Sequence, residues 1–207
     1  MSYSSLYVMD NNFNGFKARE FTNSWLFTPV VMDVLGDKYV SESLMTPFGK
    51  FGLMSAAMSN RNLFNELNEK VNECDVFEDR ICWEMSNQQV FASKDKQVIA
   101  NAISDFVVIN QKHMKEYGEH ILERFQDLAN EIMQINEAKY PYFAHKNTSC
   151  DDNVENWFLI YNEEIDDCEE CSLRDAKESK TEFVIIEGKE LSFVSNLEFF
   201  KGAENES

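Results

Sequence analysis

Residues 116 to 136 carry the pattern that most restricts how this chain can fold. Ile121, Leu122, Phe125, Leu128, Ala129, Ile132 and Met133 recur at spacings of three, four and one, which gathers them on one stripe of an α-helix and scatters them over both faces of a strand. Gly118 is the only glycine between residues 53 and 187, so little in this region weakens a helix interior. Just upstream, Ser93 is placed to cap a second amphipathic helix that runs to about Asn110, with Val98, Ile99, Ala102, Ile103, Phe106 and Val107 facing inward. Two shorter helices are predicted earlier. Thr28 and Pro29 before "VVMDVLG" read as a cap, a first-turn proline and a stop at Gly36. After a loop at 43–52, Ser59 reads as the cap of a helix burying Leu63, Phe64, Leu67 and Val71.

The ends of the chain read differently. "SLYVMD" predicts a strand, and "NNFNG" a turn at Asn11 to Gly15. Beyond Pro141, "YPYFAHK", "NWFLIY", "EFVII" and "LSFV" are short aromatic or β-branched runs of strand type, with "EGKE" at 187–190 as a hairpin turn. The pattern predicts an α+β fold: one domain over residues 1–200, with central amphipathic helices packed on a small, mainly antiparallel sheet drawn largely from the N-terminal strand and the C-terminal strands. Residues 201–207, "KGAENES", are expected to form a frayed tail.

Charge narrows the function classes. The chain has 37 acidic and 19 basic residues, a net charge of −18, and 17 of the acidic residues but only 5 of the basic ones lie in 151–207. Such a surface repels phosphate backbones and anionic lipid, so neither direct nucleic-acid binding nor membrane association is expected. "MSYSSLYVMD" lacks the basic and apolar regions of a secretory signal, which predicts a cytoplasmic protein. Five cysteines, an odd number, predict reduced thiols there.

Two acidic features stand out. "EEIDDCEEC" packs Glu163, Glu164, Asp166 and Asp167 behind the aromatic run that contains Trp157 and Tyr161. Alternation along a strand would put Trp157 and Tyr161 on the face opposite Phe158 and Ile160. On the strongest helix, Glu119, Glu123, Asp127 and Glu131 follow at four-residue intervals. Three like-charged pairs at that spacing cost about 1 kcal/mol, which Lys115 before Glu119 and Arg124 before Asp127 are placed to offset. A solvating helix face explains such a row without a partner. The functional reading is a rim that meets a basic protein, with Trp157 and Tyr161 as anchors.

Catalytic and metal signatures are incomplete. Cys168 and Cys171 form a Cys-x-x-Cys pair for which Cys150 and His145 are the available zinc ligands, but no second compact ligand pair accompanies them. Nearby carboxylates disfavour a redox-active thiolate. His113, Glu116 and His120 would share a face of a continuous helix, yet the chain has no His-Glu-x-x-His. Ser93 and Lys96 have Ser-x-x-Lys spacing without its companion motifs. The sequence therefore predicts a non-enzymatic inhibitor or immunity-type protein without cofactor, covering a basic partner such as a nuclease toxin or a nucleic-acid-dependent defence complex of anti-restriction or anti-CRISPR type, possible partial DNA mimicry included. The alternatives are a zinc-binding domain or metal-dependent enzyme using His145, Cys150, Cys168 and Cys171, and a self-associating structural subunit.

Overall fold

A computed structural model describes residues 3–22, 27–40, 61–148, 159–162, 164–170, 172–174 and 181–204. The fold is α+β. Its contacts divide into two compact units, one comprising residues 1–25, 88–98 and 130–207, the other 26–87 and 99–129.

The first unit holds a six-stranded sheet. β1 (Tyr3–Met9) and β2 (Gly15–Thr22) form an antiparallel hairpin around the expected "NNFNG" turn. In that turn the Asp10 carboxylate accepts the backbone N–H groups of Asn12 and Asn14 at 2.8 and 3.0 Å, the Asx arrangement for which short polar side chains are favoured there. The remaining strands are β3 (Val90–Ala92), β4 (Tyr142–Thr148), β7 (Glu182–Glu187) and β8 (Glu190–Ser195), in the order β2-β1-β4-β3-β7-β8. Every neighbouring pair is antiparallel except β3–β7. β7 and β8 turn at "EGKE" as expected, with Gly188 at φ 66°.

Phe143, Ala144, His145 and Lys146 are consecutive buried residues of β4, so this central strand is covered on both faces. On one face Met9, Val90, Ala144 and Phe183 join Phe13, Leu173 and Phe200 in a core cluster. The C-terminal helix α6 (Asn196–Glu204) supplies Phe199, stacked on Phe183 at 3.8 Å, and Phe200, edge-on to Phe13 at 4.7 Å. α6 includes the first four residues of the segment 201–207 read as a tail. On the other face Phe91 stacks on Phe143 at 5.8 Å.

The second unit contains α1 (Phe27–Tyr39), α2 (Arg61–Glu73), α3 (Phe77–Ser86) and most of α4 (Lys96–Met114) and α5 (Glu119–Met133). Phe125, from the apolar stripe of α5, packs against Phe27 at 4.5 Å and Phe106 at 6.1 Å. Trp83 of α3 is fully buried, beside Phe64 and donating its indole N–H to Asn68 at 2.8 Å.

Several sequence expectations need correction. α1 does not stop at Gly36: that residue is buried within the helix, its carbonyl accepts the Val40 N–H at 2.9 Å, and its φ is not left-handed. A glycine ends a helix when the chain turns left-handed there, and here it does not. Ser93 is no side-chain cap. It lies in a 3-10 turn, Ser93–Asp95, with its hydroxyl buried and without a hydrogen-bond partner among the described residues. α4 continues past Asn110 to Met114, and Val98 is exposed rather than inward. The strand β2 and the helix α3 were not expected. The predicted loop at 43–52 and the cap Ser59 lie outside the described residues.

The α4–α5 connection needs its glycine. Gly118 has φ 117° and ψ 151°, and a Cβ there would lie 2.8 Å from the His120 ring. Gly118→Ala is expected to cost about 1–3 kcal/mol of unfolding free energy, read by urea denaturation. An unchanged midpoint would refute this conformational requirement.

Candidate functional site

Residues 164–170 of "EEIDDCEEC" are the turn and second strand of a hairpin. β5 (Leu159–Asn162) and β6 (Asp167–Glu170) pair antiparallel, with Asn162 opposite Asp167 and Tyr161 opposite Cys168. This two-stranded sheet is separate from the six-stranded one. At the turn Glu164, Ile165 and Asp166 are exposed, Ile165 to 57 %, and Asp166 takes a left-handed φ of 53°, a conformation that Asp tolerates better than most residues. The hairpin therefore presents one bare aliphatic side chain between two carboxylates at its tip, with Asp167 next in the chain. The acidic residues of β6 are poor strand formers, which is why the strand half of this stretch was not expected. Trp157 and Glu163 lie outside the described residues, as do the side chains of Tyr161 and Asp167.

The carboxylate row on α5 is paired at its ends and bare in its middle. Lys115 meets Glu119 at 3.2 Å, as expected from the i, i+4 spacing. Arg19 of β2 meets Glu131 at 3.7 Å, a partner the local sequence does not show. Glu123 and Asp127 are exposed and form no ion pair with a described residue. The expected Arg124–Asp127 pair is not formed.

No protein-family model, curated protein or solved structure matches this chain. The functional reading therefore rests on the chain's own residues.

The alternative zinc set is represented among the described side chains by His145 alone; Cys150, Cys171 and the Cys168 side chain lie outside them. His145 is buried in β4, its Nε2 is 2.8 Å from the Ser4 hydroxyl, and the Phe21 ring is 6.3 Å away. Burial holds the imidazole neutral, lowering its pKa to about 3. Among the described residues no group of three or more His, Cys, Asp or Glu is arranged to hold a metal ion. His113, Glu116 and His120 do not share a continuous helix, because Gly118 interrupts it. His113 Nε2 instead faces Asp33 and Asp37 of α1 at 3.2 and 3.6 Å.

Among the buried ionisable groups that escaped the sequence reading are Asp79 and Lys146. Asp79 of α3 is 0 % exposed, and its Oδ2 accepts from the Lys38 ammonium and from the Tyr39 hydroxyl, the latter at 2.6 Å. Among the described residues its Oδ1 has no hydrogen-bond partner. Burial, then the carboxylate beside it, pushes the Tyr39 phenol up. Lys146 of β4 is 2 % exposed, with Nζ 5.6 Å from the centre of the Tyr7 ring. Burial lowers its pKa from 10.5 to about 6. Hydrophobic patterning of the sequence signals neither group.

Proposed function

We propose that this protein is a non-enzymatic inhibitor of immunity type, acting in the cytoplasm by covering a basic surface of another protein. The partner class is a nuclease toxin or a nucleic-acid-dependent defence complex, whose anion-binding groove an acidic surface can occupy. One observation carries the reading: the β5–β6 tip sets exposed Ile165 between Glu164 and Asp166. An apolar anchor inside a charged rim is the composition of a binding hot spot, and the rim supplies steering toward a cationic partner. Glu123 and Asp127 on α5, exposed and without an ion pair among the described residues, are a second acidic surface that adds to the same long-range attraction. Among the described residues no helix is long and apolar enough to cross a membrane. Mimicry of DNA would be partial, because the acidic excess is concentrated in one quarter of the chain.

The test is affinity capture from a native lysate, comparing the wild-type chain with Glu163→Lys/Glu164→Lys/Asp166→Lys/Asp167→Lys. Wild type should retain a basic protein at low salt and release it as ionic strength rises toward about 0.5 M, where screening shortens to a few ångströms. The charge-reversed bait should retain none. Equal capture by both baits would show that the hairpin does not contact the partner.

A further inference from the structure

α4 leaves an apolar pair uncovered. Val108 is 74 % and Ile109 55 % exposed, while Ile99, Ala102, Ile103 and Phe106 of the same helix are buried. The nearest charges on this outer stripe are Asp105, three residues before Val108, and Lys112, three residues after Ile109. At about 100° per residue the four side chains fall within an arc of about 100°. Asp105 and Lys112 are both exposed, and among the described residues neither side chain forms an ion pair or hydrogen bond.

The order acid, apolar, apolar, base is its own complement about a two-fold axis midway between Val108 and Ile109. A second helix running antiparallel across it sets Ile109 against Val108 of the first copy and Lys112 against Asp105, and the same contacts recur on the other side of the axis. We infer that this face of α4 binds a second copy of the chain, forming an isologous homodimer through α4 against α4. Charge favours that occupant. Asp105 is the only carboxylate of α4, which also carries Lys96, Lys112 and His113, so the face escapes the repulsion expected between two chains of net charge −18. A basic foreign partner would find no acidic cluster here, whereas a second copy finds the matching pair. This dimer does not depend on the inhibitor reading.

A single helix pair buries well under the roughly 1,600 Å² of a standard interface, so a dissociation constant on the order of 10 to 100 µM is expected. The test is sedimentation equilibrium of the full chain from about 5 to 500 µM, a range that brackets that constant. Val108→Glu places four added or existing carboxylates around the axis and should weaken the dimer at least about tenfold. Asp105→Lys sets two lysines face to face on each side of the axis and should weaken it about fivefold or more. Adding Lys112→Asp to Asp105→Lys restores both pairs with reversed polarity and should recover the wild-type constant to within about threefold. All three positions are exposed, and circular dichroism checks that the helices persist. A wild-type chain that stays monomeric throughout, a dimer indifferent to Val108→Glu, or an Asp105→Lys defect that Lys112→Asp does not repair would each overturn the proposal.

Discussion

Replacing Asp79 with alanine is expected to lower the unfolding free energy by about 3 kcal/mol, the range found when one partner of a buried ion pair is removed. The carboxylate is fully buried, and its Oδ2 is the shared acceptor for Lys38 and Tyr39 at the end of α1. Without it the Tyr39 hydroxyl loses its 2.6 Å acceptor, and the ammonium of Lys38, one-third exposed, loses its counter-charge beside the packed helices. The pair differs from a surface salt bridge in its response to double replacement. Lys38→Met with Asp79→Leu removes both charges and fills the site with apolar volume, so the double variant should be more stable than Asp79→Ala by about 1–2 kcal/mol. Urea denaturation of wild type, Asp79→Ala, the single variants Lys38→Met and Asp79→Leu, and the double variant measures this directly. Strict additivity of the two single effects would show that Lys38 and Asp79 do not act as a unit.

The second large effect concerns Lys146. An exposed lysine titrates near 10.5, and in this sheet burial lowers the value to about 6. The unfolded chain therefore binds more protons than the folded one between those two values, and stability must rise with pH across that window. The slope contributed by one such group reaches about 1.4 kcal/mol per pH unit. Below pH 6 the penalty is fully present, and above 10.5 it is gone. The Tyr7 ring, 5.6 Å from Nζ, favours the charged form, but a cation–π contact contributes about 1–2 kcal/mol and burial prevails. Lys146→Met keeps the aliphatic stem, removes the proton exchange, and should raise unfolding free energy at pH 7 by roughly 2–5 kcal/mol. Its stability should also lose the upward slope between pH 6 and 9. Parallel pH profiles for variant and wild type would refute the assignment of a neutral buried amine. His145, held neutral with a pKa of about 3, adds a separate loss of stability as pH falls below 6.5, because folding then requires an imidazole to give up its proton.

These two residues mark where sequence reasoning stopped. The stripe on α5 was legible because one side of that helix is buried and the other is wet, so its apolar residues keep helical period. α3 has no such contrast: Asp79, Ile81, Cys82, Trp83, Glu84, Met85 and Ser86 are all buried, and a helix covered on every side loses its periodic signature. β2 failed for the opposite reason. Its residues Phe16 to Glu20 are all exposed, so an edge strand looks like a polar loop. His145 and Lys146 read as a polar pair at the end of "YPYFAHK", whereas β4 is the strand between β1 and β3 and is covered on both faces. Composition revealed the acidic tip, but its hairpin geometry depends on cross-strand pairing with Leu159–Asn162, which no count of carboxylates contains. Asp79 needed a contact with residues 40 positions earlier, beyond any local window.

If the acidic, Ile165-tipped hairpin occupies an anion-binding surface on a basic protein, nucleic acid should compete with it for that surface. The most direct measurement is competition: wild-type chain on a solid support is loaded from native lysate, and bound protein is eluted with short duplex DNA or with an uncharged polymer at matched mass. DNA should release the same basic protein that salt releases, the uncharged polymer should not, and Ile165→Ala should weaken retention without changing the ionic-strength dependence. Retention that is insensitive to DNA, and equal on the lysine-substituted hairpin, would contradict it.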